Sequence, residues 1–281
     1  ENIFVGNGSD EAIDLLFRVF CEPREDNALA IAPSYGMYRV AAAINDIEMR
    51  EVRLGEDFAL PVDELLRRAD AHTKLLFLCS PNNPTGNSFP RADMLRLADG
   101  FGGIVVVDEA YIDFSEEEGL RREIFARPNL VVLQTLSKAW AMAGLRVGLA
   151  LADRRVVELM SMVKYPYNID VAAMRMAERL LDDPIDEKVA ALREQRDAVA
   201  AALSRFRFVE RVYPSDANFL LVRVDDADAV YDRLIGEGII VRNRSRIEGC
   251  EGCLRITIGL EEENLKLLKT LERYEKESIV R

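Results

Sequence analysis

Leu130-Val131-Val132-Leu133-Gln134-Thr135-Leu136-Ser137-Lys138 decides how this chain is read. A short apolar run, bounded by hydroxyls, predicts a strand over 130–134. Working outward, similar runs predict strands over 28–32, 49–54, 74–79, 104–107 and 146–151. Amphipathic stretches between them predict helices over 10–20, 35–44, 61–69, 91–100 and 154–163. Such alternation is the grammar of an α/β protein with a mostly parallel sheet. The opening Glu1-Asn2-Ile3-Phe4-Val5 reads as a strand already under way, so a further segment is expected before Glu1. Gly8-Ser9-Asp10-Glu11 reads as a helix start, with a Ser or Asp cap and acids in the first turn.

The rhythm breaks at Lys164-Tyr165-Pro166-Tyr167-Asn168. A long helical region follows to about residue 206, then predicted strands over 208–213, 218–224, 239–241 and 254–258. Helices are predicted near 227–237 and 261–275. Residues 1–165 are thus expected to form a large domain, and 166–281 a helical connector with a small α+β domain. Arg193, Arg196 and Arg205 lie among alanines and read as a solvated helix face.

Composition removes several function classes. The 281 residues hold 37 Lys plus Arg against 49 Asp plus Glu, a formal charge of −12. General nucleic-acid or anionic-membrane binding needs a basic face instead. No apolar run approaches the ~20 residues of a membrane span. The single histidine, His72, gives triads and multi-His metal sites almost nothing to work with, and it reads as a surface residue. Cys21, Cys79, Cys250 and Cys253 are too few and scattered for a disulfide scaffold and fit a reducing cytoplasm. Cys250-Glu251-Gly252-Cys253 has no second pair and no nearby His, so no metal is expected; Cys253 reads as strand core and Cys250 as a turn. The acid runs 115–118 and 261–263 read as capped starts of exposed helices.

Four motifs carry chemistry. Lys138 follows the deciding strand, between hydroxyls, with Arg146 eight residues on in Ala143-Gly144-Leu145-Arg146-Val147-Gly148. Only seven of the 37 basic residues are Lys, so one in this setting stands out. It reads either as a surface lysine opening a helix or as a partly buried amine that forms a Schiff base beside a phosphate site. Val105-Val106-Val107-Asp108 puts a carboxylate at a strand's C-terminal end, where parallel sheets bind ligands. It also reads as a loop cap, or as a Mg²⁺ acid whose Gly-x-x-x-x-Gly-Lys-Ser/Thr partner the chain lacks. Cys79-Ser80-Pro81-Asn82-Asn83-Pro84-Thr85-Gly86 is good turn chemistry that would also aim an amide into the crevice. Gly6-Asn7-Gly8-Ser9-Asp10 is a glycine turn at a helix N-terminus, a natural phosphate cradle. Together they supply what pyridoxal phosphate needs: an amine, an anion, donors for a ring oxygen and a phosphate cup.

These motifs fall in one family's order. With Pro33-Ser34-Tyr35-Gly36-Met37-Tyr38, Asp108-Glu109-Ala110-Tyr111, Leu136-Ser137-Lys138-Ala139-Trp140 and Cys253-Leu254-Arg255-Ile256-Thr257-Ile258-Gly259, the whole chain resembles the fold-type I aminotransferases. It most resembles the branch that transaminates histidinol phosphate with 2-oxoglutarate in L-histidine biosynthesis. The resemblance implies a large domain with a mostly parallel, seven-stranded-type sheet between helices, and a small α+β C-terminal domain. It implies Lys138 as Schiff-base lysine and proton shuttle, and Asp108 as partner of the pyridinium nitrogen. Asn83 and Tyr111 would bond the ring oxygen and Tyr35 would stack on the ring. Ser137, Arg146 and Gly8-Ser9-Asp10 would hold the cofactor phosphate, with Thr135 assisting. Arg255 would grip the carboxylate of glutamate or 2-oxoglutarate. Arg242 would help to bind the phosphate of histidinol phosphate or imidazole acetol phosphate.

A cytoplasmic homodimer is implied, as is an N-terminal segment carrying a tyrosine that reaches the neighbouring subunit's cofactor. Trp140 stands where the family more usually has Phe. Three alternatives stay open: a threonine-phosphate decarboxylase-like enzyme, a broader aromatic aminotransferase, and a regulatory protein that keeps the fold. The decarboxylase branch usually has Pro where this chain has Ala143.

Overall fold

Two sheets order the molecule, which the computed structural model describes over residues 1–279. The larger holds β1 (Ile3–Asn7), β2 (Asn27–Ala32), β3 (Glu48–Arg53), β4 (Thr73–Cys79), β5 (Ile104–Asp108), β6 (Leu130–Thr135) and β7 (Val147–Leu151). Their spatial order is β1-β7-β6-β5-β4-β2-β3. Strands β2 to β6 are parallel, β7 is antiparallel to β6, and β1 is antiparallel to β7. The C-terminal ends of β1, β2, β4, β5 and β6 therefore share one edge with the N-terminal end of β7. That edge becomes the site.

The central strands β4, β5 and β6 are buried almost throughout, as unbroken apolar runs in a parallel sheet should be. One face packs on α1 (Ser9–Phe20), α2 (Met37–Ile44) and, further along, α5 (Arg154–Val163), around Phe17, Phe77 and Met160. The other packs on α3 (Val62–Arg68) and α4 (Arg91–Gly100), around Leu65, Leu78 and Leu97. Truncating a fully buried residue such as Leu78 to Ala would cost about 2–5 kcal/mol.

After α6 (Val171–Leu181) and α7 (Asp186–Leu203) come β8 (Val209–Val212), β9 (Phe219–Val224), α8 (Ala227–Gly236), β10 (Arg242–Asn243), β11 (Cys253–Thr257) and α9 (Glu261–Ile279). The second sheet is antiparallel, in order β10-β11-β9-β8. No helix among the described residues is long and apolar enough to cross a membrane.

Four expectations change. The helix start at Gly8-Ser9-Asp10 has no side-chain cap: Gly8 itself caps α1, at φ 77. Asp10 lies inside the helix, and its carboxylate accepts a hydrogen bond from the Tyr35 hydroxyl (3.1 Å). The strand expected over 239–241 begins at Arg242 instead. A Schellman closure of α8 takes those residues: Gly238 N–H donates to Ile235 O (2.9 Å) and Ile239 N–H to Leu234 O (2.8 Å). The acid run 116–118 forms no helix, because the Ser115 hydroxyl accepts from Glu117 N–H in a local turn (3.1 Å). Finally, Arg193 is not a solvated residue. Its guanidinium donates to the carbonyls of Phe114 (2.9 Å), Asp113 (3.2 Å) and Ser115, and Arg196 donates to Ala217 O (3.3 Å).

Candidate active site

A cavity of about 670 Å³ opens along the shared strand edge and reaches the second sheet. It brings together Ser9, Asp10, Tyr35, Asn83, Asp108, Tyr111, Thr135, Ser137, Lys138, Arg146, Arg242 and Arg255. Gly8 is set behind this lining, its N–H bonded to Arg146 O (2.8 Å) and Gly6 O (2.9 Å). A Cβ there would meet Arg146 Nη2 at 2.4 Å, and φ is +77, so glycine is required. Gly148 is required too: a Cβ would stand 2.1 Å from Ser9 N. These two glycines let β7 and the α1 N-terminus touch.

The β1–α1 turn and the β6–β7 connection meet at one polar corner of the cavity. Thr135 Oγ1 donates to Ser137 Oγ (2.9 Å) and accepts from Ser137 N–H (3.1 Å), which fixes that serine. Arg146 Nη1 donates to Ser137 Oγ (3.4 Å), and Arg146 Nη2 lies 3.5 Å from Asp10 Oδ2.

Asp108 ends β5 at 2% exposure. Its oxygens accept from the Tyr38 hydroxyl (2.9 Å) and Ala110 N–H (3.1 Å). Burial pushes its carboxyl up to about 6, with the Tyr38 bond pulling the other way. It has no salt-bridge partner among the described residues. Lys138 projects into the open cavity, its Nζ 5.4 Å from the Tyr111 ring centroid. Partial burial, then the charge of Arg255, holds its amine below the usual lysine range. Burial likewise raises the Tyr111 phenol to about 12.

The second sheet supplies the far wall. Arg242 and Arg255 are direct partners across β10 and β11. Arg255 Nη1 donates to Asn83 Oδ1 (2.7 Å), and its guanidinium lies 5.0 Å from the Phe219 ring centroid. Phe219 meets Tyr111 edge-on at 5.2 Å. One chain of contacts thus links β4, β11, β9 and the end of β5.

Two important residues escape the sequence reading. Tyr38 is fully buried, stacked on Phe77 of β4 at 4.8 Å, and its approach to Asp108 depends on how α2 packs over β4. Arg244 lines the cavity two residues after Arg242, a period-2 signal that could have marked it. Cys250 and Cys253 are fully buried and free, and the His72 side chain is 64% exposed.

The aminotransferase class I and II model matches residues 1–271. Histidinol-phosphate aminotransferase of Flavobacterium johnsoniae is 50% identical over 272 residues, covering 96% of this chain and 78% of that protein. The histidinol-phosphate aminotransferase structure from Clostridium acetobutylicum superposes with TM-score 0.90 at 24% identity, over 98% of this chain and 84% of that one. L-threonine-O-3-phosphate decarboxylase from Porphyromonas gingivalis gives 0.83 at 26% identity, over 97% and 83%.

Proposed function

The chain belongs to the class I and II aminotransferase family, and from that membership we propose that it transaminates histidinol phosphate with 2-oxoglutarate, giving imidazole acetol phosphate and glutamate in histidine biosynthesis. The observation that carries this reading is a buried acid, Asp108, facing one cavity with Lys138 and an arginine-rich wall.

The residues fit pyridoxal phosphate. A buried carboxyl without a cation suits a protonated ring nitrogen, and the cup at Ser9, Ser137 and Arg146 suits a phosphate. Bound there, the cofactor supplies an electron sink for a substrate Cα that loses its proton. The chain's residues do the rest. Asp108 would hold the ring nitrogen's proton, and Tyr38 and Ala110 N–H hold Asp108. Asn83 and Tyr111 would offer donors to the ring oxygen, while Tyr35 would cover the ring. Thr135 orients Ser137 in the cup. Lys138, with its amine below the ordinary range, carries the proton to and from the substrate Cα. Arg255 grips a carboxylate with its planar fork, and Arg242 extends that grip to a phosphate ester.

The working unit is a homodimer in the cytoplasm, with the chain divided near residue 165 into cofactor and small domains. Exposed Ile3, Val5, Met162, Val163 and Tyr165, on the edge strand β1 and the end of α5, support a partner-covered face. Four free, buried cysteines suit a reducing compartment.

Stopped-flow spectra with glutamate test the transaminase reading. Conversion of the bound cofactor to its amine form is expected; its absence sinks the reading. Comparing kcat/KM for histidinol phosphate, phenylalanine and threonine phosphate then tests the substrate. A preference for either of the others overturns histidinol phosphate.

A further inference from the structure

The cavity is far more cationic than the chain around it. Lys138, Arg146, Arg242, Arg244 and Arg255 line it against only Asp10 and Asp108. Asp10 is already engaged by Arg146 and Tyr35, and Asp108 lies at the end of β5. The wall at β10 and β11 therefore concentrates three guanidinium groups with no acid of its own. Many arginines elsewhere are paired, as Arg50 is with Asp70 and Arg127 with Asp99.

Within this wall Arg244 differs from its neighbours. Its N–H donates to Cys253 O (2.8 Å), which carries the β10–β11 ladder one residue on. Its side chain thus falls on the same face as Arg242 and Arg255. Arg242 is exposed, whereas Arg244 is half-buried. Arg244 Nε, like Arg255 Nε, is buried without a hydrogen-bond partner, but Arg255 still reaches Asn83 through Nη1, whereas no bond or ion pair of the Arg244 guanidinium is found among the described residues. Burial, then the charge of Arg242, disfavours its cationic form. A desolvated guanidinium between like charges gains most from an anion that brings more than one negative charge.

We propose that Arg244 is a specificity-determining residue, reading the second negative charge of a phosphate monoester and so separating it from a carboxylate. The inference rests on the proposed aminotransferase reading of this cavity. Glutamate brings one charge to this end of the pocket and histidinol phosphate brings two. Arg255 serves both, and Arg244 serves the dianion.

Calorimetric titration of the cofactor-loaded protein with methyl phosphate and with acetate at pH 8 tests the charge reading without any turnover. Loss of one charge-assisted contact predicts that R244Q weakens methyl phosphate binding about tenfold or more, and acetate binding less than about threefold. R244K should recover part of the loss, since it keeps the charge without the fork. In turnover, R244Q should raise KM for histidinol phosphate by a larger factor than it raises KM for glutamate. Equal losses for both anions, no loss, or no methyl phosphate binding by the wild type overturns the proposal. Dianion-selective binding that depends on Arg244, in a wild type that does not turn over histidinol phosphate, supports the charge reading and overturns the substrate alone.

Discussion

Two groups of polar side chains line one cavity, and they are built by opposite rules. Along the seven-stranded edge the key groups are tied down: Asp108 by Tyr38 and Ala110, Ser137 by Thr135 and Arg146. On the four-stranded side Arg255 has Asn83 and the face of Phe219, while Arg242 and Arg244 show no side-chain partner among the described residues. The first set is organised before a ligand arrives, as a resident group requires. The second keeps uncompensated charge, which suits anions that come and go.

The largest effect should come from the edge. Lys138→Ala should lower turnover by ~10⁴-fold, the upper end for losing a positioned proton carrier. Pyridoxal phosphate should still bind, but borohydride should no longer fix it to the protein. Peptide mapping of reduced wild type should find the label on Lys138; a label on Lys164 or Lys74 breaks the assignment.

Asp108→Asn comes next. Removing a preorganised charge should lower kcat by ~10²–10³-fold with the fold intact. The same acid also leaves a mark on the cofactor-free protein. Its carboxyl sits at about 6, above the ordinary 3.8, because burial disfavours the charge. Between those values the folded state holds the proton more tightly than the unfolded state. Stability is therefore lost as pH rises from about 4 to about 6, and Asp108→Asn should flatten that part of the profile. Urea midpoints across this window decide it; an unchanged slope shows that Asp108 does not cause it.

Across the cavity the effects should be smaller and ligand-dependent. Arg255→Ala should lower kcat/KM in both half-reactions by ~10–100-fold, the range for one lost charged hydrogen-bond pair. Arg242 is exposed, so Arg242→Ala should cost only a few-fold, more for histidinol phosphate than for glutamate. Equal sensitivity of the two half-reactions to Arg242→Ala would remove the distinction between a shared grip and a phosphate grip.

The two regions also differ in how far they can be read from sequence. β4, β5 and β6 each announce themselves as an apolar run, and the side chains just past the run are aimed by the strand itself. Asp108, Ser137 and Lys138 were legible for that reason, and Asn83 from the proline-flanked turn that follows β4. Tyr38 was not, because its partner is 70 residues away and depends on how α2 packs. Arg244 was missed because the expected strand ended at 241, before the residues that the ladder in fact pairs. The Asp10 cap failed because the helix starts earlier: Gly8 takes the cap position and Asp10 lies within α1, where Tyr35 and Arg146 meet its carboxylate. A period-3.6 reading also cannot tell a solvated arginine from one that reaches a carbonyl on another element, which was the case for Arg193.

Arg193 joins the two regions and yields the smallest catalytic effect. From α7 it donates to the carbonyls of Asp113, Phe114 and Ser115, just past Tyr111. The same junction packs Tyr111, Phe114, Val189, Ala217 and Phe219 into one apolar cluster. Arg193→Ala leaves those carbonyls without their donor, at a cost of about 2–3 kcal/mol. Arg193→Lys should recover only part, because an ammonium's three donors sit on one nitrogen and do not match the span of Nε and Nη2. Activity should fall only a few-fold, through looser placement of Tyr111 rather than loss of any group that meets the substrate. Denaturant unfolding of both variants checks the stability, and the kcat against KM split checks the placement. If Arg193→Ala unfolds at the wild-type midpoint, the clamp is idle and the two regions are held together by the apolar cluster alone.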